Sequence, residues 1–323
     1  MTRLAAVVAA SVVLGAAGVA RADGFLHELA HQATQRLDAV IAARPPALVP
    51  PVPVVVRWKA TKLGAIDLGA TLIALVAADL DGDGRGELYA VTPREVVVLG
   101  ARERGTGVRE LGRVAFAGEL AVPAPRDPVG AAVIDGDTVI AAASPWQHGL
   151  RVQWRSKVLS AATDSQAGFP VCARRLALAP GRNYFVDSGG GGDVFAGRCR
   201  DVVDKAGRAV PVTALLATTG KLAVTVGSDR REYGGVGVAF DVADVDRDGV
   251  PEVIYAGAGA PGDADAVKVV TFAADDKKPV FRKPFNGGVA GVVAVDLDGD
   301  GALEVVVAVR LVGSTRIDLW RLN

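Results

Sequence analysis

Asp79-Leu80-Asp81-Gly82-Asp83-Gly84-Arg85-Gly86-Glu87 is a nine-residue stretch that recurs twice in variant form. The second copy is Asp244-Val245-Asp246-Arg247-Asp248-Gly249-Val250-Pro251-Glu252, and the third is Asp296-Leu297-Asp298-Gly299-Asp300-Gly301-Ala302-Leu303-Glu304. All three keep acids at positions 1, 3, 5 and 9 and glycine at position 6. Alternate side chains of a tightly turning loop converge, and the glycine permits the sharp turn. The backbone carbonyl at position 7 (Arg85, Val250 or Ala302) can add an oxygen. Calcium takes roughly six to eight oxygens at flexible geometry, so calcium is the expected occupant. The expected ligand sets are Asp79, Asp81, Asp83, Arg85 and Glu87; Asp244, Asp246, Asp248, Val250 and Glu252; and Asp296, Asp298, Asp300, Ala302 and Glu304. Position 9 can stand behind the innermost ligands in some copies. The competing reading is three acid-rich turns that bind nothing.

The residues after each loop separate it from an EF-hand, which needs a bidentate acid at position 12 and then a helix. Position 12 is Ala90, Tyr255 or Val307. The flanks read as short buried strands. Leu75-Val76-Ala77-Ala78, Phe240-Asp241-Val242-Ala243 and Val292-Val293-Ala294-Val295 precede the loops. Leu88-Tyr89-Ala90-Val91, Val253-Ile254-Tyr255-Ala256 and Val305-Val306-Val307-Ala308 come after them. Apolar, β-branched runs of this length are strand signals.

A strand, acid loop and strand repeated along one chain resembles the FG-GAP/VCBS repeat family, the type also found in integrin α-subunit propellers. The resemblance covers residues 70–118, 234–285 and 287–323. It implies an all-β fold, a β-propeller of five or six four-stranded blades, with five to seven allowed by the length. It also implies calcium-supported adhesion or recognition without a reaction, with the ion mainly structural. The partner implied is a protein or a glycan. The alternative is a carbohydrate-active enzyme or a lectin on the same propeller.

Composition narrows the classes. The 323 residues carry 36 Lys+Arg against 36 Asp+Glu, so there is no electrostatic footprint for nucleic acid and no general attraction to anionic membranes. Thirty-nine glycines with 5% aromatic residues favour a turn-rich β protein. Thr2-Arg3, the apolar run Leu4 to Ala20 and Ala20-Arg21-Ala22 read as a secretory signal cleaved after Ala22. An uncleaved membrane anchor is the alternative, although a 17-residue run rich in alanine and glycine is marginal for spanning. The expected location is periplasmic or secreted, with no stable membrane insertion after cleavage and a monomeric propeller. In that compartment Cys172 and Cys199, the only cysteines, can pair. Two buried free thiols are the other possibility.

The domain reading is a signal peptide at 1–22, a helix and Pro-rich linker at 23–50, and a propeller at 51–323. Residues 25–44 have helical apolar spacing. His27-Glu28-Leu29-Ala30-His31 matches a zinc-protease pattern, but its place near the processed terminus and the lack of a third ligand nearby favour surface histidines. Residues 72–118 read as a full blade. Residues 125–165 read as a second, whose Asp135-Gly136-Asp137 turn is too short to wrap a cation. Residues 168–233 fit one enlarged blade or one and a half, with 186–190 as a flexible loop. The last block supplies three strands and ends in Arg316–Leu322. Val54–Trp58 is therefore expected to fill the vacant place and close the ring, so that deleting 50–60 collapses the fold and deleting 23–44 does not.

With three His, four Tyr and no assignable nucleophile–base pair, the residues favour binding over catalysis. Trp58, Trp146, Trp154 and Trp320 could stack on sugars, but three of them fall in expected strands and read as core.

Overall fold

The computed structural model describes residues 48–102, 107–120, 128–144, 146–166, 168–172, 174–178, 185–187, 194–259, 263–273, 278–311 and 313–323. The signal segment, the 25–44 helix and its His27–His31 motif lie outside the described residues, as does 188–193.

The described chain from Leu48 is an all-β propeller built from six antiparallel sheets, five of four strands and one of three. Blade I is β2 (Ala74–Ala78), β3 (Glu87–Val91), β4 (Glu95–Ala101) and β5 (Val108–Ala115). Blade II is β6 (Gly130–Asp135), β7 (Thr138–Ala143), β8 (Gly149–Arg155) and β9 (Val158–Asp164). Blade III has only β10 (Phe169–Val171), β11 (Arg174–Leu178) and β12 (Phe185–Asp187). Blade IV is β13 (Val194–Val203), β14 (Ala209–Ala217), β15 (Leu222–Val226) and β16 (Asp229–Tyr233). Blade V is β17 (Val236–Ala243), β18 (Glu252–Gly257), β19 (Asp265–Thr271) and β20 (Phe281–Phe285). Blade VI joins β21 (Gly288–Val295), β22 (Glu304–Arg310) and β23 (Arg316–Leu322) to β1 (Ala60–Asp67). The first strand of each blade touches the first strand of the next, and β21 touches β2, so the ring closes.

Strand composition follows position in the blade. β3 and β7 are buried along their whole length, because neighbouring blades cover both faces, and after the polar Glu87 and Thr138 that open them they read as apolar runs. The outer strands β5 and β1 are mostly exposed or half-buried and carry charged residues between apolar ones. The core is accordingly a set of layers between blades. Leu63, Leu75, Leu88, Val293 and Leu319 fill the layer between VI and I. Val98, Tyr89, Val139 and Trp154 fill that between I and II. The layer around blade III is the thinnest, with Ala131, Ala142, Phe169, Val171 and Leu176.

The ring closes from both ends of the described chain, but through a different segment from the one the sequence suggests. β1 pairs with β23 from Ala60↔Leu322 to Asp67↔Arg316, with an irregularity at Gly64. Val54–Trp58 is not a strand. The Val54 N–H donates to the Asp246 oxygen (2.7 Å), the preceding Pro53 has no N–H to give, and Trp58 turns the chain at φ 49°. Val55 stays 90% exposed, and of the β-branched run only the half-buried Val56 packs against the core. Regular pairing begins where the Lys59 N–H meets the Asn323 oxygen at 2.6 Å.

Residues 168–233, expected as one enlarged blade or one and a half, form the three-stranded sheet III and the complete sheet IV. Val186, expected where a strand passes into a loop, lies within β12, and Asp187, expected in the loop, ends it. The Asp135-Gly136-Asp137 turn is as expected, a tight hairpin with Gly136 at φ 60°. Cys172 and Cys199 form a disulfide with Cα atoms 5.4 Å apart, joining the turn after β10 to β13.

Candidate metal centres

The three acid loops are the β2–β3, β17–β18 and β21–β22 turns. Each joins the first strand of its blade to the second, and blades V, VI and I are consecutive, so the loops are neighbours at one end of the ring. Position 1 organises each turn. Asp79 accepts the N–H groups of Gly82 (2.7 Å) and Gly84 (2.9 Å). Asp244 accepts those of Asp248 (3.0 Å) and Gly249 (2.9 Å), and Asp296 those of Gly299 and Gly301 (both 2.7 Å). The position-5 aspartates Asp83, Asp248 and Asp300 each accept the N–H of position 7, Arg85, Val250 or Ala302, at 2.8 Å. The position-6 glycines Gly84, Gly249 and Gly301 have φ 87°, 81° and 82°, which L side chains rarely adopt.

Ligand oxygens converge in every copy. Carboxylate oxygens of Asp79, Asp81 and Glu87 lie within 4.8 Å of one another, as do those of Asp244, Asp246 and Asp248, and those of Asp296, Asp298 and Asp300. The position-9 glutamates are buried, and each accepts the N–H of position 2. Glu87 takes that of Leu80 at 3.4 Å, Glu252 that of Val245 at 2.9 Å, and Glu304 that of Leu297 at 2.8 Å.

Burial pushes the Glu87 carboxyl up to about 7 and the Glu252 carboxyl up to about 8, and the loop aspartates beside them push the same way. Glu304 rises for the same first reason. Asp244 and Asp246 are also raised, chiefly by burial. These loops are short of positive charge. Among the described residues, the ion pairs to these loops come from Arg321, 2.9 Å from Asp298 and 3.6 Å from Glu304, and from Lys205, 3.8 Å from Asp248, while Arg85 and Arg247 of the first two loops pack against Gly299 and Gly301 of the third. Glu252 Oε1 is buried with no hydrogen-bond partner. Asp83, Glu252 and Glu304 stand outside the three convergent sets, and the spare buried oxygen of Glu252 lies behind the aspartates of its loop, where a hard dication would supply the missing charge.

Two features of the loops escape the nine-residue pattern. Position 4 is left-handed in every copy, at Gly82 (φ 74°), Arg247 (φ 56°) and Gly299 (φ 80°). Position 2 is an apolar anchor, with Leu80, Val245 and Leu297 all buried. The signal for the second was present, since all three copies are apolar there. The first is obscured by Arg247, which holds the conformation without being glycine.

Inside the ring, above the first strands, lies a cavity of about 840 Å3 that reaches the same end as the loops. Arg200 of β13 grips Asp241 of β17 through both carboxylate oxygens (3.1 and 2.9 Å). Asp241 Oδ2 also accepts the Ala294 N–H of β21 at 2.8 Å, so this fully buried carboxylate ties three blades together. Arg198 reaches across the axis and donates to the Leu75 oxygen of β2 at 2.8 Å.

The four tryptophans are engaged in packing. Trp58 stacks on Phe281 (5.4 Å), Trp146 on Phe116 (6.3 Å), and Trp320 meets Phe285 edge-on (5.7 Å). Trp154 is buried in the layer between blades I and II.

No family model matches the sequence, and no curated protein matches it. Among solved structures, similarity is found to BBS1N in complex with ARL6DN, in crystals soaked with mercury and with lead. The first is 10% identical, covering 82% of this chain and 98% of the other at a TM-score of 0.40. The second is 10% identical, covering 84% and 98% at 0.41.

Proposed function

We propose that this chain is an exported β-propeller of the FG-GAP/VCBS type, that its three acid loops hold structural calcium, and that its loop-bearing end recognises a protein. The observation that carries the ion reading is the buried, unpartnered Glu252 Oε1 beside three converging aspartates. Holding a cation there turns the repulsion among four acids into coordination and pins the first two strands of each blade. At free calcium ten times the dissociation constant, each site contributes about 1.4 kcal/mol, and three together about 4 kcal/mol.

Recognition rather than catalysis is supported by the cavity wall. Among the described residues it contains no Ser, Thr, His, Lys or Tyr, and its two cysteines are joined to each other. A protein partner is favoured over a glycan because the same wall has no aromatic ring among the described residues, and the tryptophans are occupied in packing.

Thermal melting of the purified chain in millimolar calcium, in millimolar magnesium and in chelator, with metal analysis of the same sample, tests the ion reading. The expected result is a loss of several degrees in chelator that calcium restores and magnesium does not. Equal melting in all three with no bound metal would reduce the loops to empty turns. N-terminal sequencing of the chain recovered from envelope or medium tests export, with Asp23 expected first.

A further inference from the structure

The axial cavity has a one-sided distribution of positive charge. All six first strands contribute to its wall, through Val76 of β2, Ala132 of β6, Pro170 of β10, Arg198 of β13, Asp241 of β17 and Val293 of β21. Among the described residues its guanidinium groups come only from blades III and IV: Arg174 and Arg175 on β11, Arg198 and Arg200 on β13.

The carboxylates in the wall are already committed. Both oxygens of Asp79 and of Asp296 accept backbone N–H groups within the ion loops. Asp241 is held by Arg200 and by the N–H groups of Val242 and Ala294. Asp135 is held from outside by Arg151 at 3.3 Å. Arg175 is matched by the buried Asp164 at 2.7 Å.

Arg198 stands apart. Its Nη1 donates to the Gly197 oxygen (3.1 Å) and its Nη2 to the Leu75 oxygen, and its Nε is buried without a partner. Two of its five N–H donors are spent, both on neutral carbonyls. Phe240 lies beneath it at 5.6 Å. Burial, more than any neighbouring charge, lowers the basicity of this group, which is the expected consequence of a guanidinium held without an anion in contact. The remainder of the wall is small and aliphatic, including Ala132, Ile140 and Leu303. The volume falls within the roughly 300–1,000 Å3 of ligand pockets.

We propose that this cavity is a carboxylate-binding site that receives an acidic peptide segment, with Arg198 as the principal receiving group and Arg200 beside it. The aliphatic wall suits the methylene stem of a glutamate or aspartate, and an arginine presents parallel donors that match a carboxylate. The site deepens the protein-recognition reading and rests on the calcium reading, since ions in the loops cancel the field of Asp79 and Asp296 across the cavity.

The test is a titration followed on the Arg198 Nε–H resonance, in calcium and in chelator. The probes are the blocked pentapeptide Ala-Ala-Glu-Ala-Ala, its glutamine counterpart, glutarate and inorganic phosphate. Saturable binding of the glutamate peptide, tighter than glutarate or phosphate and weakened in chelator, is the expected result. Arg198→Gln should weaken it about tenfold or more, as loss of a charge-assisted hydrogen bond does, while Arg198→Lys retains part. Melting of both variants verifies the fold. No peptide binding in calcium, equal binding of the glutamine peptide, or tighter binding of phosphate or glutarate would each overturn the proposal. A calcium-dependent melt without peptide binding sinks this site alone, whereas no calcium effect on melting sinks the loop reading beneath it.

Discussion

The backbone N–H of Gly86, in the first acid loop, donates to the backbone oxygen of Asp296, the first residue of the third, at 2.7 Å. The two loops belong to different blades, so this bond crosses the boundary between VI and I. It forms only because Gly86 has no Cβ, which would collide with Val295 Cγ2 and stand 3.4 Å from the Asp296 oxygen. Gly86→Ala should therefore destabilise the protein by about 2 kcal/mol through overpacking. It should also weaken calcium binding at both loops, because Asp296 heads one ligand set and Gly86 lies within the other. Calorimetric titration of the variant checks this; a change confined to one site would show that the loops respond independently.

The left-handed position 4 gives a graded prediction. Gly82 and Gly299 share nearly the same φ, so alanine at either carries the left-handed strain of roughly 1 kcal/mol. Their surroundings differ. A Cβ on Gly82 meets nothing within 4 Å, whereas one on Gly299 lies 2.9 Å from Arg85 Cγ and 3.3 Å from the Gly84 oxygen. Gly299→Ala should lower the melting temperature more than Gly82→Ala, and Gly299→Ala combined with Arg85→Ala should recover the difference. Equal effects of the two single variants would contradict the contact.

The buried glutamates set a pH dependence whose sign depends on the ion. In chelator, Glu87 and Glu252 titrate near 7 and 8, above the 4.5 of an ordinary glutamate. An acid whose folded value is raised holds its proton more firmly when folded. Its stabilisation is complete below about pH 4.5 and is lost as the pH rises through the folded values. The chelated protein should thus melt several degrees lower at pH 8 than at pH 5. Calcium needs the deprotonated oxygens, so its stabilising effect should grow over the same window. Glu252→Gln, which keeps the amide neutral, should flatten the chelator profile. A chelator profile that rises with pH would contradict this assignment.

Closure by β1 is tested on the segment that forms it. Removing Ala60–Asp67 bares the whole edge of β23 and takes Leu63 out of the layer between blades VI and I. The expected product lacks a cooperative melt and aggregates through that edge. Leu63→Ala is the milder variant and should fold while losing about 3 kcal/mol. A soluble, cooperatively melting protein without 60–67 would show that the ring is stable open.

Much of this architecture is legible in the sequence because the acid loops and the inner strands obey strong local rules. Aspartates at alternate positions, glycine at the sharp turn and unbroken apolar runs on either side leave few alternatives, and blades I, II, V and VI derive from them. The closing strand does not, because Val54-Val55-Val56 has the stronger strand composition and Ala60-Thr61-Lys62-Leu63 the weaker. Pairing with β23 decides between them, and no local property carries that information. Blades III and IV merge in the sequence because III has two three-residue strands and a thin core. The links between blades, Arg200 to Asp241 and Arg198 to Leu75, join residues 41 and 123 positions apart and leave no local trace.

The pairing of β1 with β23 also fixes an order of events. Some 250 residues of chain separate the partners, so five blades can assemble while the sixth still lacks its outer strand. Until residues 316–322 have been made, β1 has nowhere to dock, and the nascent protein is a coil of wedges with a gap in it. The disulfide between Cys172 and Cys199 clamps that coil near its middle, on the far side from the gap. The strand formed by residues 316–322 thus acts as the latch, and without it the wedges cannot become a ring.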